Sequence, residues 1–277
     1  MRILGLTMEA GAASGASKNA GLFSALGRRY DVVDVLAPTF SAAEDLVHKA
    51  LRVHPDRATW RKRYNLDPLT FRRRSAILER ELTRREGSFD WIVQLHTQFA
   101  PGTRPRPYVL HTDNTYVLSE RHYPPWAPLR GRARDGRVQL EREVFQRAAF
   151  LFPRSEFLRR SLVDDYGCDP TRVIRVGGGA NLGAPPPDGK RYDQQVALFV
   201  GLEFERKGGV QLLRAWDSVR RALPRAGPAA AWSTDTAISH VAPTQCARWS
   251  ASAGDRTTPR YRTSSGVPHH CPSSDGQ

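Results

Sequence analysis

Cysteine is scarce in this chain of 277 residues: Cys168, Cys246 and Cys271 stand far apart, with no CxxC pair and no histidine at zinc-finger spacing. Neither a disulfide framework nor a structural metal is expected. No run approaches the roughly 20 apolar residues that a membrane-spanning helix needs. The first residues also lack the charged-then-apolar layout of a secretion signal, so a cytoplasmic location is expected. Lysine is rare, five residues against 37 arginines, yet the net charge is +14. A charge of that sign gathers anions of any kind, whether nucleic acid, anionic lipid or phosphorylated substrate, and does not choose among them. The arginine bias is equally read as a trace of GC-rich coding.

The sharpest absence is local. Residues 227–277 contain no Leu, Phe, Met, Lys or Glu, and Ser, Thr, Ala and Pro take their place. No apolar period of 2 or 3.6 runs far there, so this stretch is expected to be a low-complexity, disordered tail that buries no core. Its onset after Pro224-Arg225-Ala226 is abrupt enough to suggest a lost reading frame, with an ordinary flexible terminus as the alternative.

What is present upstream is a folding chain, 40% hydrophobic and long enough for about two domains of roughly 100–200 residues. Apolar runs alternate with helical patterns. Arg2–Leu6, Val32–Leu36, Trp91–Leu95, Tyr108–Leu110, Phe150–Phe152 and Arg172–Val176 read as strands. Helical patterns run through Leu22 to Arg29, through residues 41–86, from about Val138 to Arg147, and from a Ser155 cap to a Gly167 stop. Such alternation predicts an α/β fold, a Rossmann-like parallel sheet with helices on both faces. The expected organisation is a first domain over 1–182 and a Pro/Gly linker over 183–193. The first strand and helix of a second α/β domain would occupy 194–226, and the tail 227–277.

Three segments could carry chemistry. The small-residue loop from Glu9 to Ser17, with Gly11 and Gly15, would let a phosphate approach backbone N–H groups at a helix start, or is a tight turn with no ligand. It does not match G-x-G-x-x-G, which disfavours a nicotinamide cofactor. The set His111-Thr112-Asp113-Asn114-Thr115 leaves a strand end, where open α/β sheets bind ligands. His111 there either orients or deprotonates a hydroxyl or is simply structural, and His96 is a weaker rival. Between the second domain's first strand and helix, Arg206 and Lys207 stand beside Gly208-Gly209, a cradle for a diphosphate or a solvated charged turn.

The order Phe199-Val200-Gly201, Arg206-Lys207-Gly208-Gly209, Leu212-Leu213-Arg214-Ala215-Trp216 and Val219-Arg220 resembles the start of the donor-binding domain in glycosyltransferase family 4. So do Ala148-Ala149-Phe150, the Ser155 helix, Tyr166-Gly167 and the strand and glycines from Arg172 to Leu182. The resemblance covers 1–226 in layout and is specific over about 148–220. It implies a GT-B architecture and transfer of a hexose from a nucleotide-sugar donor to a glycan, lipid or small-molecule hydroxyl acceptor, with retention of configuration and no metal. It further implies that Arg206 and Lys207 meet the donor diphosphate with the loop of Gly11 and Gly15 opposite, that His111 stands near the reacting sugar, and that Asp113 and Asn114 lie on the acceptor side.

Two departures stand out. Leu202 occupies a position where many relatives carry Arg, and the pair of Glu that relatives place late in the second domain is missing, since no Glu follows Glu205. Little or no transferase activity is therefore expected of this chain. The alternative reading is a basic nucleic-acid-binding protein, favoured by Arg61-Lys62-Arg63 and Arg72-Arg73-Arg74 but lacking any reading motif. A further reading docks the cationic first domain on an anionic membrane surface, against a plainly solvated arginine face.

Overall fold

The computed structural model describes residues 1–8, 20–178, 196–200, 204–222, 227–231 and the pairs 247–248, 261–262 and 268–269. The chain divides into two compact units, Met1–Leu182 and Gly183–Gln277. The first is a Rossmann-like α/β domain. Strands β1 (Arg2–Leu6), β2 (Asp31–Leu36), β3 (Trp91–Leu95), β4 (Tyr108–Thr112) and β5 (Phe150–Pro153) form one sheet in the order β2-β1-β3-β4-β5, with every pairing parallel.

Parallel strands covered on both faces become apolar runs without alternation, and the two faces sort their residues. Leu4, Leu6, Ile92, Tyr108 and Leu110 join the larger core, while Ile3, Val93 and Leu95 pack with Phe23 of α1 (Ala20–Gly27). The larger core is closed by Phe71, Leu78 and Leu82 of α4 (Pro68–Arg84), by Val138, Val144 and Phe145 of α6 (Gly131–Arg147), and by Leu158 and Leu162 of α7 (Glu156–Asp164). Each such side chain contributes about 1.5–3 kcal/mol on burial.

The helical stretch over 41–86 is three helices, α2 (Ala42–Ala50), α3 (Arg57–Leu66) and α4, each with a side-chain cap. Ser41 and Glu44 form a capping box. Asp67 caps α4 just before Pro68 and also pairs with Arg52 at 2.6 Å. Much of the arginine cluster is paired within the domain: Arg73 with Glu44, Arg84 and Arg85 with Glu81, while Arg74 is buried against Phe40 and Tyr64. Ser155 caps α7 as its sequence predicts, and Gly167 takes φ 69° just beyond that helix, the left-handed region that glycine tolerates.

The expected strand over Arg172–Val176 is not a full strand. Pro170–Arg172 is a 3-10 turn, and Val173 makes a single parallel bridge with Leu151. Ile174 and Val176 then donate to the carbonyls of Leu151 and Pro153, so the segment lies along the β5 edge without completing a ladder. A helix that sequence periodicity overlooks, α5 (Tyr116–His122), begins directly after the polar set at the end of β4, because the Thr115 hydroxyl accepts from the Leu118 N–H.

In the second unit β6 (Val196–Val200) leads through α8 (Gly209–Ala222) to β7 (Gly227–Ala231), which pairs with β6 in parallel, Val196 opposite Gly227. The β-α-β unit thus runs five residues into the stretch expected to be an unstructured tail. An α-helical crossover is what a parallel pair requires, and α8 supplies it. β8 (Ala247–Arg248) adds antiparallel to β7, and β9 (Tyr261–Arg262) pairs with β10 (Pro268–His269). Among the described residues no helix is long and apolar enough to cross a membrane.

Candidate functional site

At the C-terminal edge of the first unit's sheet lies a cavity of about 540 Å³. Met8 after β1, residues 96–98 after β3, residues 112–116 at the end of β4, Arg61, Lys62 and Asn65 of α3, and Arg137 and Glu141 of α6 line it. Crevices outside the carboxyl ends of parallel strands are where open α/β sheets hold ligands.

The turn after β3 is set by Gln94. Its buried amide donates to the carbonyls of His96 (2.8 Å) and Phe99 (2.9 Å), curling the chain over the strand end. His96 takes φ 63°, the one positive φ of a non-glycine residue among the described residues. Its N–H donates to the His111 carbonyl at 3.0 Å, and its Nδ1 stands 3.3 Å from the Asp113 carboxylate.

Behind that turn sits a buried ion pair. Arg137 Nη2 meets Glu141 Oε1 at 2.8 Å, one turn apart on α6, and both side chains are almost completely buried. Glu141 also accepts from the Thr97 hydroxyl (3.0 Å), the Tyr116 N–H (3.0 Å) and the Tyr166 hydroxyl (2.5 Å). Burial and the adjacent carboxylate push the Tyr166 hydroxyl well above the usual phenol range. Arg137 gains less: Nη2 also donates to the Thr97 carbonyl at 2.6 Å, while Nε and Nη1 are buried without a hydrogen-bond partner. The guanidinium also lies over the Phe71 ring, 5.4 Å from its centroid, and adds a cation to the cavity wall. Arg61 and Lys62 add positive charge to the same wall, and neither has an ion-pair partner among the described residues.

The residues singled out from sequence separate. Asp113 and Asn114 line the cavity. The Asn114 amide donates to Ser119 at 2.6 Å, which ties the β4 loop to α5. His111 is not in a loop. It belongs to β4, shares a strand face with Val109 rather than with the cavity-lining Thr112, and does not line the cavity. Its Nδ1 donates to the Phe152 carbonyl at 2.8 Å, and burial pulls its pKa below the usual imidazole value.

Gly11 and Gly15 lie outside the described residues. In the second unit, Arg206 and Lys207 occupy the turn before α8, with Lys207 exposed. That turn needs its glycines: Gly208 has φ 83°, and a Cβ on Gly209 would stand 2.2 Å from the Phe204 ring.

Sequence reasoning did not single out Thr97, Arg137 or Glu141. The signal was available, since 137, 138, 141, 144 and 145 fall on one helical face, and charged residues four apart on an apolar stripe mark a buried pair.

No family model matches the chain. Over 99 residues it is 35% identical to a D-inositol 3-phosphate glycosyltransferase of Kineococcus radiotolerans. Together with the parallel sheet, that match agrees with the resemblance read from the sequence. The chain resembles the glycosyltransferases of family 4. The alignment takes in 32% of this chain and 23% of the relative, so the chain spans about a quarter of that relative's length.

Proposed function

We propose that the first unit is the acceptor-binding domain of a glycosyltransferase, and that its acceptor is a phosphorylated polyol. The single observation supporting this is the cationic lining of the cavity, where Arg61 and Lys62, whose donors have no ion-pair partner among the described residues, stand with Arg137. A phosphate there would take up those donors, and the polyol would lie toward Asp113, Asn114 and His96. The relative's name specifies an inositol phosphate, an acceptor of that chemistry. The donor in this reading is a nucleotide sugar, its diphosphate met by Arg206 and Lys207 of the second unit.

Titration calorimetry of the full chain with D-inositol 3-phosphate and with myo-inositol tests the reading. The phosphorylated ligand is expected to bind and myo-inositol to bind far more weakly. Arg137→Met should cost about tenfold to a hundredfold in affinity, the worth of a charge-assisted hydrogen bond. Equal affinity for the two polyols, or an Arg137→Met chain that binds as the parent does, would refute it.

A further inference from the structure

His96 holds a backbone conformation that a side chain adopts at a cost. It lies at the end of β3 with φ 63°, and three contacts keep it there: its N–H to the His111 carbonyl, its own carbonyl to the buried Gln94 amide, and Nδ1 to Asp113. Glycine or asparagine would sit in this region with less strain. Histidine enters this region more readily than most side chains, and a non-glycine residue held there at the wall of a cavity points to a task beyond its contact with Asp113.

The ring's surroundings specify that task. A carboxylate oxygen only accepts, so Nδ1 beside Asp113 carries a proton, which in the singly protonated ring leaves the lone pair on Nε2. His96 lines the cavity with its side chain about one-fifth exposed, and Nε2 has no protein partner among the described residues. Arg137 offers the same cavity N–H donors only. A ligand spanning the two thus needs an anion at one end and a hydroxyl donor at the other.

We propose that His96, oriented by Asp113, is the residue that recognises a hydroxyl of the polyol acceptor, Nε2 accepting its hydrogen bond while Arg137 holds the phosphate. This rests on the polyol-phosphate reading above. It separates that site into an anion end and a hydroxyl end, with His96 accepting from a hydroxyl at the second. His111, on the other face of β4, has no part in it.

The test is His96→Asn in the full chain. Asparagine fits the backbone at least as well and cannot reach as far. The thermal midpoint is therefore expected to stay or rise, which removes unfolding as an explanation. With inorganic phosphate the variant should bind as the parent does. With D-inositol 3-phosphate it should bind about fivefold to tenfold more weakly, the range of one neutral hydrogen bond. Nitrogen-15 spectra of the parent's imidazole should show an Nδ1–H tautomer, with the Nε2 resonance moving on addition of inositol phosphate and not of phosphate. An unchanged affinity for inositol phosphate in His96→Asn, or an equal loss for phosphate, overturns the assignment while leaving the Arg137 reading intact. A parent chain that binds neither ligand overturns both.

Discussion

Replacing Glu141 by Gln separates the two halves of the buried pair. The carboxylate accepts from Arg137, Thr97, the Tyr116 N–H and Tyr166, so it is satisfied from four directions. Arg137 depends on Glu141 and on Thr97, with Nε and Nη1 unpartnered. Glu141→Gln therefore strands a buried cation, and breaking one partner of such a pair costs about 3–5 kcal/mol. At about 2–4 °C per kcal/mol for a domain of this size, the midpoint should fall by roughly 6–20 °C. Arg137→Met instead leaves a carboxylate with three donors and removes two orphaned N–H groups, so its cost should be the smaller, under about 2 kcal/mol. Thermal and urea unfolding of the two variants measure the difference. Millimolar inositol phosphate should raise the midpoint of the parent and of Glu141→Gln but not of Arg137→Met. An Arg137→Met variant as unstable as Glu141→Gln would refute the reasoning, because it would mean the guanidinium is no more dependent on its partner than the carboxylate is.

Two further outcomes follow from the sheet. Gly5→Ala would place a Cβ 2.6 Å from the Phe23 ring and 3.0 Å from Val35 on the α1 face, and should lower stability by about 1–3 kcal/mol in urea titration. His111, whose folded pKa is depressed by burial, binds its proton more readily in the unfolded chain. Its contribution to stability is present in full above the unfolded value of about 6.5 and is lost as pH falls from there toward the folded value. The pH dependence of the unfolding free energy between about 6.5 and 5 should accordingly be shallower in His111→Gln than in the parent, and an identical slope in both would count against the assignment.

Sequence reasoning succeeded where burial on two faces leaves a continuous apolar run, as in β1, β3 and β5, and where a cap is local, as at Ser155. It failed where structure depends on a distant partner. The segment 172–176 has strand composition, but β5 offers it only a partial ladder. α5 spans seven residues, too few to establish a period, and rests on one threonine cap. The site was half legible: a strand end followed by polar residues predicted where Asp113 and Asn114 would gather. It could not assign His96 over His111, because strand alternation turns on the exact residue where β4 ends. Arg137 and Glu141 stayed hidden because buried charge and surface charge are spelled alike until the helix face is known.

The placement of β1 beside β3 carries a cost during synthesis. Arg2 bonds Asp90, 88 residues later, with two strands' worth of register to be matched after four intervening helices have formed. Until that point has left the ribosome, β1 has β2 on one edge and bare amides on the other. Nascent chains halted before residue 95 should therefore present a sticky, half-paired ribbon to chaperones.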